Sequence, residues 1–216
     1  MIEEILPPKV ASSEAFDDVA EATLFPQEEA MIARSVDKRR REFSTVRLCA
    51  RRAMADLGLP SAPVLPGLRG SPQWPGGVVG SMTHCDGYRA AALAYATHLR
   101  TIGIDAEPHD ELPDGVLDAV ALPQEKEQLA ALKAASPGKH WDRLLFSAKE
   151  SVYKAWFPLA RRWLGFEEAE ITFNPARRSF TVRLLVSGPE VDGSRLTGFT
   201  GRWKIDSGLV LTAIAL

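Results

Sequence analysis

Leu145, Val152, Trp156 and Leu159 recur at helical spacing, so the stretch Phe146-Ser147-Ala148-Lys149-Glu150-Ser151-Val152-Tyr153-Lys154-Ala155-Trp156 reads as an amphipathic helix. Glu150 and Lys154 are four residues apart and share another face, with Lys149 one position before Glu150. The plain reading is a surface Glu–Lys pair, which is common and weak. A second stretch upstream changes the balance. Thr101-Ile102-Gly103-Ile104-Asp105-Ala106-Glu107 has the pattern of a short buried strand that ends in two carboxylates. Residues i and i+2 of a strand point to one face, so Asp105 and Glu107 converge and their like charges call for a cation. With Glu150 the set offers three hard oxygen ligands, which suits Mg²⁺ or Mn²⁺. Lys149 and Lys154 beside it would hold phosphate oxygens. Taken alone, Asp-x-Glu simply ends a strand or caps the next helix.

The 216 residues are 45% hydrophobic and 25% charged, as expected of a globular chain that forms one large domain or two lobes. The net charge of −2 gives no global basic field for nucleic acid, so an anionic ligand must be met by a local cluster. Two cysteines, Cys49 and Cys85, provide no disulfide framework, and free thiols in a reducing cytoplasm are expected. The start of the sequence lacks a basic region and a long apolar core, so no secretory signal is expected. No apolar run is long enough to cross a bilayer. We expect a cytoplasmic monomer that binds neither membrane nor nucleic acid.

Along the chain, the first thirty residues read as acidic and irregular, with a helix start at Pro26. A longer helix runs from about Val36 to Leu57, where Gly58 and Pro60 stop it. It carries a basic stripe of Arg40, Arg47 and Arg51, either a solvated face or an anion site. Pro60 to Gly77 reads as an ordered loop in which Pro66-Gly67-Leu68-Arg69-Gly70 lets backbone approach a ligand. Val78-Val79 form a short strand, then Gly80-Ser81-Met82-Thr83-His84-Cys85 gathers hydroxyl donors and a histidine after a glycine, a setting for phosphate. No base–cysteine arrangement is visible around Cys85, which reads as a buried thiol. Tyr88 to Tyr95 is the next strand. A tight turn at Thr97–Arg100 leads into Ile102–Glu107, and these two strands are expected to pair antiparallel. The lobe boundary falls here, giving lobes of residues 1–101 and 102–216. Pro113 and Pro123 each open a helix. Strands follow at about Glu170–Phe173, Phe180–Val186, Thr197–Ile205 and Leu209–Leu216, the last apolar and central.

Ile102-Gly103-Ile104-Asp105-Ala106-Glu107 and Phe146-Ser147-Ala148-Lys149-Glu150-Ser151-Val152-Tyr153-Lys154-Ala155 resemble the G-I-D-x-E and F-x-x-K-E-x-x-x-K signatures of 4′-phosphopantetheinyl transferases. The chain is similar to the surfactin-type and enterobactin-component-D-type branch, and most of all to its actinobacterial members. The resemblance implies a pseudo-twofold pair of α+β lobes with coenzyme A in the cleft between them. It also implies transfer of 4′-phosphopantetheine from coenzyme A to a serine of an apo acyl or peptidyl carrier protein, with release of 3′,5′-ADP. Fatty-acid, polyketide and nonribosomal-peptide carriers all fit as acceptors. By the same resemblance, Asp105, Glu107 and Glu150 hold Mg²⁺ or Mn²⁺, with the Ala106 carbonyl or a water completing the shell. Glu150 takes the serine proton, Lys154 neutralises the leaving phosphate and Lys149 holds pyrophosphate oxygens. Arg39, Arg47, Thr83 and His84 contact the nucleotide and its 3′-phosphate, with Ser81 beside them. Gly67 and Arg69 lie on the loop that walls the adenine. Arg40 and Arg51 are left for solvent or a partner. Phe157 to Trp163, with Arg161 and Arg162, is a candidate surface for an acidic carrier or simply a helix end. Two readings of other classes stand beside this one: a metal-dependent phosphodiesterase or nuclease, and a carrier-binding module without catalysis.

Overall fold

The apolar strand patterns become two antiparallel sheets, each carrying one long helix. The computed structural model describes residues Met1–Leu216. In the first half, strand β1 (Ala11–Ala15) precedes helices α1 (Pro26–Ile32) and α2 (Asp37–Asp56). The short pair β2 (Leu65–Pro66) and β3 (Pro72–Gln73) leads to β4 (Val78–Cys85) and β5 (Tyr88–Tyr95). In the second half, β6 (Ile102–Pro108) is followed by helices α3 (Val116–Val120), α4 (Pro123–Ala135) and α5 (Trp141–Ala160). Strands β7 (Ala169–Asn174), β8 (Ser179–Leu184), β9 (Glu190–Val191), β10 (Ser194–Arg195), β11 (Gly198–Asp206) and β12 (Leu209–Ala215) complete the chain. The first sheet has the order β1-β5-β4 and the second β6-β12-β11-β8-β7. The fold is therefore mixed α+β. No helix is long and apolar enough to cross a membrane.

Each helix covers one sheet with small residues at the contact. Cys49, Ala50, Ala53 and Met54 of α2 pack on Ala91 and Leu93 of β5. Leu144, Leu145, Ala148, Val152 and Ala155 of α5 lie in the larger core with Val210 and Ile214 of β12. A third apolar layer joins the sheets: Ala90, Ala92 and Ala94 of β5 meet Ile104 and Ala106 of β6 and Leu211 and Ala213 of β12. Strand β5 is thus buried on both faces, which is why its sequence is a run of alanines rather than an alternation. Ile2, Ile5 and Leu6 join this middle layer.

Three expectations are corrected. The first thirty residues are not irregular throughout, since Ala11–Ala15 form β1 and pair with β5. Gly80–Cys85 is not a cluster beyond a strand but the body of β4, paired with β5 from Val78 to Cys85. Strands β5 and β6 do not pair: β6 pairs with β12, from Ile102↔Ala215 to Pro108↔Leu209. The turn between them is held at the end of β12, where Arg100 and Thr101 donate their amides to the Leu216 carbonyl. This steers the chain into the second sheet instead of back along the first.

Candidate active site

A cleft of about 1180 Å³ opens between the two sheets, lined by α2, the 66–74 loop, β4, β6 and α5. Gly103 determines how closely two of its walls approach. It lies on the face of β6 that meets α5, and a Cβ there would overlap the Ser151 carbonyl and stand 2.7 Å from the Ala155 nitrogen. Asp105 and Glu107 continue that face by strand alternation, so they arrive beside the polar side of α5. Lys154 donates to Asp105 Oδ1 at 2.8 Å and to the Ile104 carbonyl at 3.0 Å. Asp105 is buried, and its Oδ2 has no hydrogen-bond partner. Glu107 accepts from Arg143 Nη1 at 3.1 Å. Arg143 is itself fixed by donating to the Asp110 and Glu111 carbonyls. Burial and the neighbouring Asp105 hold both Glu107 and Glu150 above the ordinary carboxylate pKa.

Asp105, Glu107 and Glu150 line this one cleft. They do not close into a tight cluster of three ligands, because Lys154 and Arg143 stand among them. The donor set still fits a small divalent cation. A buried carboxylate oxygen without a partner is costly unless something positive meets it, and Asp105 Oδ2 is such an atom. The amide of Ala106 points away from β12, toward the Thr83 hydroxyl. Strand geometry sends its carbonyl to the same side, away from β12.

The other side of the cleft is built by α2 and β4. Arg39 Nη1 donates to His84 Nε2 at 2.6 Å, which requires that nitrogen to be an acceptor and the ring neutral. Burial lowers the His84 pKa, with Arg39 and Lys154 adding to the effect. The Arg47 guanidinium lies 3.1 Å from the Phe43 ring centroid, and its Nε donates to the Val64 carbonyl. Burial brings its pKa down to about 10. Arg39, Arg47 and His84 all face the cleft, as do Gly67 and Arg69 on the 66–74 loop. Arg69 adopts a left-handed φ of 52° and lies 5.5 Å from the Trp163 ring, spanning the cleft mouth.

Other expected contacts are directed elsewhere. Lys149 is buried and turned from the cleft. It pairs with Glu125 at 2.9 Å and donates to the Phe166 carbonyl at 2.8 Å and the Ala169 carbonyl at 2.5 Å. One residue along a helix is a rotation of about 100°, so Lys149 cannot share the face of Glu150. Ser81 and Thr83 also line the cleft, from the face of β4 opposite to that of His84, as alternate residues of a strand must. Their hydroxyls accept the Ile104 and Ala106 amides, both at 3.1 Å. Arg40 and Arg51 are not left for solvent or a partner. They pair with Glu29 and with the fully buried Glu28, tying α2 to α1. The Cys85 thiol is half-buried and pushed up to about 12, chiefly by burial, which is no setting for a nucleophile. Arg143 was not singled out from the sequence. Its spacing of seven residues before Glu150 puts it on the same helical face, and that signal was present.

Known proteins resemble this chain in sequence. A model of the 4′-phosphopantetheinyl transferase N-terminal domain matches residues 27–94, and one of the 4′-phosphopantetheinyl transferase superfamily matches residues 101–197. The 4′-phosphopantetheinyl transferase Svp of Streptomyces mobaraensis is 57% identical over all of this chain and 89% of its own length. The 4′-phosphopantetheinyl transferase PptT of Mycobacterium tuberculosis is 50% identical over all of this chain and 98% of its own. The 4′-phosphopantetheinyl transferase Npt of Nocardia iowensis is 53% identical over all of this chain and 99% of its own.

Proposed function

The chain belongs to the 4′-phosphopantetheinyl transferase superfamily, and from that premise we propose how its cleft carries out the transfer. Coenzyme A lies between the lobes, whose boundary we take at residues 101 and 102. Its 3′-phosphate is met by Arg39, His84 and Arg47, and its adenine by the loop of Gly67 and Arg69. A serine hydroxyl of an apo carrier protein attacks the phosphorus that bears the pantetheine arm. The anhydride bond breaks, and 3′,5′-ADP leaves.

The observation that carries this reading is the meeting of Asp105, Glu150 and Lys154 in one cleft, with a buried Asp105 oxygen left unpartnered. Asp105, Glu107 and Glu150, with the Ala106 carbonyl, would hold Mg²⁺ or Mn²⁺. Such an ion would neutralise the pyrophosphate and hold its oxygens in line. Glu150 takes the serine proton, directly or through a water. Lys154 moves its charge from Asp105 to the leaving phosphate. Nothing found supports a nuclease or a carrier-binding module without catalysis. Two free thiols suit a reducing compartment, and we take the enzyme to act there as a monomer.

The test is transfer with enzyme stripped by EDTA, before and after Mg²⁺ or Mn²⁺ is restored. Asp105→Ala and Glu150→Gln are each expected to lose most activity while still unfolding cooperatively. Full activity of either variant, or turnover in excess EDTA, contradicts the assignment.

A further inference from the structure

Strand β4 runs beside β6 without forming a ladder with it, since β6 pairs with β12 and β4 with β5. Two hydroxyls take the place of that ladder. Ser81 Oγ accepts the Ile104 amide and Thr83 Oγ1 accepts the Ala106 amide, each at 3.1 Å. The two rungs differ in what the hydroxyl proton does. Thr83 is 4% exposed, and its Oγ1 also lies 3.3 Å from Asp105 Oδ1. A hydroxyl has one proton, and an amide that donates to its oxygen leaves that proton for another acceptor. Here the acceptor is Asp105. Lys154 donates to the same Oδ1 at 2.8 Å, so both donors meet one oxygen of the carboxylate. Oδ2 is the atom left buried and free.

We propose that Thr83 is a positioning residue for the transfer reaction: its hydroxyl, oriented by the Ala106 amide, sets the rotation of the Asp105 carboxylate so that Oδ2 faces the divalent cation. This rests on the transferase reading above and assigns Thr83 to Asp105 rather than to a phosphate of the substrate. The same hydroxyl holds Ala106 in register, which fixes the direction of the Ala106 carbonyl. Lys154 leaves Oδ1 when it turns to the leaving phosphate. Thr83 then remains as the donor that keeps the carboxylate from turning.

The test compares Thr83→Val, which keeps the shape and removes the hydroxyl, with Thr83→Ser, which keeps the hydroxyl. Three quantities are read: kcat for an apo carrier, the affinities for coenzyme A and dephospho-coenzyme A, and Mn²⁺ binding to the enzyme–coenzyme A complex by electron paramagnetic resonance. For Thr83→Val, kcat and Mn²⁺ affinity are each expected to fall about tenfold or more, the loss of a hydrogen bond to a charged group. The ratio of the two coenzyme affinities should stay as in the wild type, and Thr83→Ser should recover most of both losses. If Thr83→Val does not fold, Thr83→Ala, which leaves room for a water, carries the same comparison. A selective loss of coenzyme A over dephospho-coenzyme A would make Thr83 a phosphate ligand and overturn the proposal. Unchanged Mn²⁺ binding, or a Thr83→Ser variant no better than Thr83→Val, would overturn it too. If the wild type modified no carrier, the transferase reading would fall, and the Mn²⁺ comparison would still judge Thr83.

Discussion

Arg39 donates to His84 Nε2, and that single bond divides two roles that the sequence treats alike. Arg39 carries a permanent charge at the cleft; His84 in this state carries none. Arg39→Ala is therefore expected to weaken coenzyme A binding about 10- to 100-fold, as befits a lost charge-assisted contact, and to leave dephospho-coenzyme A nearly unaffected. His84→Ala should show the same selectivity at smaller size. Calorimetry with both ligands reads this, and equal losses for the two ligands would remove the 3′-phosphate role. Asp105, Glu107, Glu150 and Lys154 were legible in the sequence, because a strand period of two and a helix spacing of four put them on common faces. Lys149 was not, because it sits one residue from Glu150 and one step along a helix turns the side chain elsewhere. Thr83 lines the cleft as expected, but its bond to Asp105 was not legible, because their strands do not pair.

At the scale of elements, α5 is held from both sides by contacts that lie outside the proposed chemistry. On one side is Gly103, where α5 crosses β6 too closely for a Cβ. Gly103→Ala should cost about 3 kcal/mol, the upper range for overpacking, or roughly 6–12 °C in Tm for a chain of this size. It should also lower kcat, because α5 carries Glu150 and Lys154 away from Asp105. On the other side, Lys149 ties α5 to Glu125 of α4 and to the start of β7. Lys149→Met strands the buried Glu125 charge and should cost about 3–5 kcal/mol, with coenzyme A affinity unchanged in the folded protein. Thermal unfolding and calorimetry on one sample separate this from a pyrophosphate contact, which would give the opposite pattern. The long helices and the last four main strands were legible from their periods. Strand β1 was not, because Ala-Ser-Ser-Glu-Ala has little strand character of its own and is held by β5. The partner of β6 was not legible either. It lies about a hundred residues away, and proximity in sequence favoured β5.

At the scale of the molecule, the cleft mouth brings the two halves together. Arg69 of the first half lies over Trp163 of the second, and Trp163 packs on Tyr153 with ring centroids 4.9 Å apart. Arg161 lines the same opening as the left-handed cap of α5. Arg162 is tied back to Glu168 at 3.6 Å and over Trp156. For an acidic carrier this makes Arg161 the freer of the two charges. Arg161→Glu should raise the carrier KM at low salt and flatten its salt dependence, since rim charges act mainly by steering. An unchanged KM would move docking to another surface. The transfer itself is read by intact-mass spectrometry of apo fatty-acid, polyketide and nonribosomal-peptide carriers after incubation with this enzyme, coenzyme A and Mg²⁺. At least one carrier is expected to gain the mass of a single phosphopantetheine with the wild type and not with Glu150→Gln, if the proposed transfer holds. No gain on any carrier, or an equal gain with Glu150→Gln, would contradict it.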